Sequence, residues 1–232
     1  MDKDTQKFLT DMFSGRAALY EFLSLIFKKP PQKDFIGISK NFIAPFNNLA
    51  ESSGSDILKK GVELLIQYVE AENDNSFTEV IGELNNRYTA LFLLGFSSVM
   101  PTASTIMTPG CVMRQEPWER TKRFYNLWGY KMPADFREPE DHISAQLRFM
   151  EKMSLHSVSL VAKDDNEGFV NSVEAQHNFL KENMVDWVTQ FNFMLSRRSN
   201  ASKCSFTLYE AGGFLAEGYI KEDIKLLNDI LQ

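Results

Sequence analysis

The sequence predicts an all-α protein, a helical bundle of two coupled lobes joined by a long uncharged hinge loop. Three observations predict it. Apolar residues recur at three- and four-residue steps through most of the chain, the spacing that gathers them on one face of a helix. No stretch of convincing length alternates apolar and polar residues as a half-buried strand would, and no internal repeat is present. Bulky apolar residues dominate, with 19 Phe and 10 Met among 232 residues against 12 Gly and 8 Pro. Such material suits a thick helical core or an adaptable apolar groove, and core is its commoner use.

The elements follow in order. Phe8, Met12, Phe13, Leu19, Tyr20, Leu23, Ile26 and Phe27 form a helical stripe that Pro30-Pro31 ends. Residues 33–50 give a weaker helix with Pro45 as a kink or an end. Leu58, Val62, Leu65, Ile66 and Val69 make a third stripe, closed by the turn Asn73-Asp74-Asn75. Ser76 and Glu79 have capping-box spacing and open a helix carrying Ile81, Leu84, Tyr88, Leu91 and Phe92. A further helix runs from about Arg114 to Trp128 and ends at Gly129. Pro139 then stands where a first-turn proline is tolerated, ahead of Ile143, Leu147, Met150, Met153 and Val161 on one face. Asp164-Asp165-Asn166 breaks that helix. Val170, Val173, His177, Leu180, Met184, Trp187, Val188, Phe191 and Leu195 form the cleanest stripe. A helix over Phe206–Tyr219, weakened by Gly212-Gly213, and a short one over Glu222–Leu231 complete the chain.

Between the halves, Leu91–Met113 carries no charge, the length of a membrane span. Pro101, Pro109, two glycines and Ser97, Ser98, Thr102, Ser104, Thr105 and Thr108 interrupt it, and a lipid-facing helix broken in that way would strand backbone groups. It reads instead as a loop, either a plain linker or one that also lines a cleft. The organisation is therefore an N-terminal helical lobe (1–94), a hinge (95–113) and a C-terminal helical lobe (114–232), integrated as one domain.

Composition excludes several function classes. The net charge is −6 and no basic stripe is visible, which argues against nucleic-acid binding. Cys111 and Cys204 fit neither a disulfide framework nor metal-ligand spacing. The N-terminal MDKDTQKF is polar, without the apolar run of an export signal, so a reducing cytoplasm is expected. His142, His156 and His177 are 14 and 21 residues apart, and only Glu174–His177 has Glu-x-x-His spacing, so no di-metal centre is expected. His177 sits on an apolar stripe as a core histidine would. Phosphate-loop and nucleophile-elbow motifs are absent. The reading is of a non-catalytic protein without metal or cofactor. Arg197-Arg198 follows a long helix, where basic residues complement the dipole.

The most informative segment is Arg137-Glu138-Pro139-Glu140-Asp141-His142, leading into ISAQLRFM. Acids there suit a helix start. A carboxylate held at such a junction is also able to accept two hydrogen bonds from a guanidinium, which a lysine cannot match. The E-P-x-D-H run before a helix carrying Leu147-Arg148-Phe149-Met150 resembles the signature of the TorD/DmsD-type chaperones, the redox-enzyme maturation proteins of bacterial molybdoenzymes. Arg16-Ala17-Ala18-Leu19-Tyr20-Glu21-Phe22-Leu23 is similar to that family's first helix, and Tyr88-Thr89-Ala90-Leu91-Phe92 to its Y-x-x-L-F helix end. Pro101 and Ser104, then Phe124-Tyr125 and Gly129, follow in the same order. The resemblance spans roughly residues 12–155. Departures are Gln146 and Arg148 where the family often has acids, and Thr102 and Ala103 where it usually has an aromatic residue.

The resemblance implies a chaperone that binds the twin-arginine signal peptide of a molybdoenzyme catalytic subunit. Such a chaperone holds the precursor until cofactor insertion and export, with the export machinery as a further possible partner. Asp141 is the first candidate for the arginine-facing carboxylate and Glu138 the second. His142 would orient the junction or bond the peptide, and Pro139 would fix its backbone. Tyr20, Tyr88, Phe92 and the loop at Pro101–Ser104 would supply the apolar wall, although Tyr20 and Tyr88 equally suit ordinary helix stripes. Alternatives are a nitrate-reductase-type assembly chaperone for a non-exported client, or a helical nucleotide-binding or regulatory module. Monomer and domain-swapped dimer both remain open at this level.

Overall fold

The computed structural model describes residues 1–30, 35–72, 77–94, 98–134, 136–201 and 206–232. Every regular element among them is helical. The turn expected at 73–75 lies outside the described residues, as do Ser76 of the capping box, Pro31, Ser97 and Cys204. None of the described helices is long and apolar enough to cross a membrane.

Helix α1 (Lys3–Lys28) starts at Asp2, whose carboxylate accepts from the amides of Asp4 and Thr5. It buries Phe13, Tyr20, Leu23, Ile26 and Phe27, whereas Phe8 of the expected stripe faces solvent. Helix α2 (Phe35–Ser53) runs through Pro45 without ending. Pro45 lies on the exposed side, so the carbonyl deprived of its helical donor can turn to water. Helix α3 (Asp56–Glu72) and helix α4 (Phe77–Tyr88) follow, and α4 widens into a π-helical turn at Thr89–Leu93.

The uncharged segment is not a free-standing linker. It contains a short helix, α5 (Ala103–Met107), and Val99, Pro101, Thr102, Ala103, Ser104 and Thr105 are buried. Helix α6 (Glu116–Leu127) leads through a connection to α7 (Ile143–Ala162). The long apolar stripe expected after 164 is divided between α8 (Asn166–Asn183) and α9 (Val185–Ala201), with the break at Met184. On α8 the buried face holds Phe169, Val173, Gln176 and Phe179, while Val170 is exposed and His177 only half-buried. His177 is therefore not the core histidine that its spacing suggested.

The C-terminal region, expected as two helices, is one: α10 (Thr207–Leu231). Its glycines are contact points. A Cβ on Gly212 would lie 2.9 Å from Ile26 Cγ2, and one on Gly218 would lie 2.7 Å from Leu58 Cγ. Glycine's usual penalty in a helix is thus offset by close approach to α1 and α3. The strongest packing pairs α1 with α7 and α10 with α3, so helices from the two halves of the chain interleave.

One polar network crosses this interleaved core. Arg16 donates to both oxygens of Asp223, at 2.6 and 2.8 Å, and to Gln176 Oε1 at 2.9 Å. Tyr20 donates to Asp223 Oδ2 at 2.5 Å. Burial opposes the Arg16 charge, but the charge of Asp223 more than offsets that and holds the guanidinium above its ordinary pKa. The network ties α1, α8 and α10 together.

Candidate functional site

The Glu138–His142 junction is folded against the uncharged segment by backbone bonds. Thr102 and His142 pair in an isolated antiparallel bridge. Ala103 N–H donates to Asp141 O at 3.0 Å, and Ile143 N–H donates to Pro101 O at 2.9 Å. His142 N–H closes a turn onto Pro139 O at 3.0 Å. From α6, Tyr125 OH donates to Glu140 O at 3.1 Å and the Trp118 indole donates to the Glu140 carboxylate.

Asp141 sits at the centre of this latch with 0% of its surface exposed. Its Oδ2 accepts from Ser104 N–H at 2.7 Å, while Oδ1 is buried without a hydrogen-bond partner. Burial raises the carboxyl above its ordinary range, and hydrogen bonds from Ser104 only partly oppose this. The expectation that Asp141 offers its carboxylate to an incoming arginine is thus corrected for this conformation: the group faces its own chain. Glu138 is exposed.

His142 also has a local task. Its Nδ1 accepts from Ser144 N–H at 3.1 Å, making it the N-cap of α7. Burial pushes its pKa down to about 3, so the ring is neutral, as an accepting cap requires. The helix therefore begins at Ile143. Pro139 is buried in the preceding turn rather than in the first helical turn, and no acid lies in the first turn of α7. Glu140 is held by side chains of α6, and Asp141 by the Ser104 amide in the first turn of α5, so neither acid serves the start of α7.

The expected apolar wall is internal. Tyr20 is fully buried and bonded to Asp223. Phe92 packs edge-on against Tyr209 at 5.4 Å and against Tyr88 at 4.9 Å. Tyr88 OH reaches Phe27 O at 3.4 Å. Burial, and secondly the charge of Glu138, raise the Tyr88 hydroxyl to about 12, so the tyrosine stays neutral near that carboxylate. Pro101 and Ser104 are buried in the latch. Of the nine residues singled out from the sequence, Asp141, His142, Pro139, Pro101 and Ser104 come together. Glu138 is near enough for its charge to act on Tyr88, Phe92 packs on Tyr88, and Tyr20 stands apart.

An accessible hollow does lie beside the junction. A cleft of 270 Å³ opens between α1, the start of α7 and the 130–136 connection. Leu25, Met132, Pro133 and Phe136 supply apolar surface, Glu21 and Arg148 meet across it at 3.0 Å, and Lys28 is also in its wall. The Phe136 ring lies 5.7 Å from that of His142, and Glu138 follows two residues later. Sequence reasoning missed these residues. The available signal was two large apolar side chains, Met132 and Phe136, in a connection that should otherwise be polar. Among the described residues no cluster of three or more His, Cys, Asp or Glu is placed to hold a metal ion.

The chain belongs to the nitrate reductase delta subunit family, which matches residues 55–192 and so contains the latch, α7 and α8. It is similar to the chaperone protein TorD of Vibrio cholerae serotype O1, 24% identical over 223 residues that cover 94% of each chain. It is also similar to the TorD of Aliivibrio fischeri, 26% identical over 182 residues that cover 78% of this chain and 79% of the relative. The TorD of Psychrobacter sp. is 25% identical over 224 residues, 94% of each. No solved structure matches.

Proposed function

We propose that this protein is a non-catalytic cytoplasmic chaperone of molybdoenzyme maturation that binds the twin-arginine signal peptide of its client precursor. Family membership and relatives that bear the name chaperone protein TorD support the general role. The observation that carries the peptide reading is an exposed acid that closes the connection lining a cleft of mixed character: Glu138 stands two residues beyond Phe136, which lines the 270 Å³ hollow with Leu25 and Met132. An arginine pair followed by an apolar run has matching chemistry, with charge at the junction and large side chains in the cleft. In this reading Asp141, His142, Pro139, Pro101 and Ser104 position the junction, Tyr88 and Phe92 back it, and Tyr20 belongs to the core.

Titration calorimetry with a synthetic twin-arginine signal peptide tests the proposal. Glu138→Gln should weaken binding at least tenfold, about 1.4 kcal/mol, by removing one partner of a charged pair. No measurable binding to the wild-type chain would refute it. The family's description favours one other reading, an assembly chaperone for a client without an export signal. A peptide whose two arginines are replaced by glutamine separates the two: equal affinity for both peptides selects the second reading.

A further inference from the structure

Across Tyr130 from the peptide cleft lies a second recess, of 380 Å³, between the 128–131 turn and α7. Its floor is apolar and aromatic: Trp128, Tyr130, Phe149 and Met153. Trp128 Nε1–H and Tyr130 O–H are buried without any hydrogen-bond partner, and both residues line the recess. Lys131, Lys152 and His156 stand exposed around it. Lys152 also contacts Glu151 Oε1 at 3.2 Å, but Glu151 is itself shared with Arg148, so the rim keeps a positive excess. The buried groups without partners that line the recess are both able to donate, and the exposed charges on its rim are lysines, in a chain whose net charge is −6.

Buried donors left without acceptors cost the fold stability, so an acceptor brought into the recess recovers free energy the fold has forgone. The apolar surface also continues past the recess. Leu127, adjacent to Trp128, is 77% exposed, and Leu155, one helical turn from Lys152 on α7, is 42% exposed. A compact ligand filling the hollow would leave both uncovered, whereas an extended chain would not. The basic groups are likewise spread along the rim rather than converging on one point.

We infer that this face docks an acidic segment of a partner polypeptide carrying a large apolar or aromatic anchor. The anchor fills the recess over Trp128 and Met153. Main-chain or carboxylate oxygens accept from the Trp128 indole and the Tyr130 hydroxyl, and flanking acids meet Lys131 and Lys152. A preference for acidic chain is opposite to that of the exposed Glu138 proposed to meet a signal-peptide arginine, so this face recognises a different stretch of sequence from a cationic signal peptide.

The test uses the full chain and a short synthetic peptide of Asp and Glu around a Leu-Phe core, with its Asn/Gln counterpart as control. The indole N–H resonance of Trp128, identified with Trp128→Phe, reports occupancy. The acidic peptide should shift that resonance saturably. The Asn/Gln peptide should bind at least tenfold more weakly, as should Lys131→Gln/Lys152→Gln toward the acidic peptide, both lysines being exposed enough for the fold to tolerate the change. An unmoved Trp128 resonance overturns the inference, as does equal binding of the neutral peptide. Saturation by a small aromatic phosphate such as naphthyl phosphate, with no response to the acidic peptide, would assign the recess to a small molecule and equally overturn it. Binding of the twin-arginine peptide is scored separately, so this docking face and the proposed signal-peptide role stand or fall independently.

Discussion

Two carboxylates, Asp223 and Asp141, are buried to the same degree and provided for in opposite ways. Asp223 receives two bonds from Arg16 and one from Tyr20, and its cation is bonded onward to Gln176. Asp141 receives the Ser104 amide on one oxygen and leaves the other without a partner. The first arrangement is complete and joins three helices of the core. The second is incomplete and lies where the uncharged segment meets the junction. A fully paired buried charge specifies packing, while a half-paired one keeps a charge ready for a change of partner or of shape.

That contrast is breakable. The largest effect is expected from Asp223→Ala, which strands the Arg16 guanidinium in the core and should lower stability by about 3–5 kcal/mol in denaturant unfolding. A loss below about 1 kcal/mol would erase the distinction between the two sites. Asp141→Ala should cost less, about 1–3 kcal/mol, through the abandoned Ser104 amide. Asp141→Asn keeps an acceptor and removes the unpaired charge, so at neutral pH it should match the wild type to within about 1 kcal/mol or slightly exceed it.

The junction adds a pH-dependent difference, slight at neutral pH. The Asp141 carboxyl is raised in the folded chain, so its penalty is absent well below the ordinary carboxylate pKa and grows as pH rises through the folded value. His142 acts with the opposite sign. Its folded pKa of about 3 lies below the ordinary 6.5, so stability is lost as pH falls from 6.5 towards 3, by at most about 1.4 kcal/mol per unit. His142→Asn, which retains a capping side chain, should be neutral at pH 7 and relatively stabilising at pH 4 to 5 in thermal unfolding. An unchanged acid limb would show that His142 does not govern it.

The fold was largely legible because helical periodicity survives in a single sequence: α1, α3 and α6 begin and end near their expected bounds. Failures came where tertiary contact overrides local preference. Gly212-Gly213 suggested a weakened helix ending near Tyr219, yet Ile26 and Asn192 press close on those glycines and α10 runs on to Leu231. Acids after Pro139 suggested a helix start, yet a turn held by Tyr125, Trp118 and Ser104 uses them and the helix waits for the His142 cap. The site was half legible. Motif spacing located the junction, but burial is not encoded in spacing: of its two candidate carboxylates, Asp141 is buried and Glu138 exposed. The cleft was invisible because Glu21 and Arg148 are 127 positions apart and meet only once α1 and α7 are packed.

Tyr130 belongs to both hollows described above, a single ring serving as the shared partition between them. A guest that tilts this partition from one side alters the room remaining on the other. Two visitors of opposite charge would then sense each other without touching, and the help or hindrance must be equal in both directions.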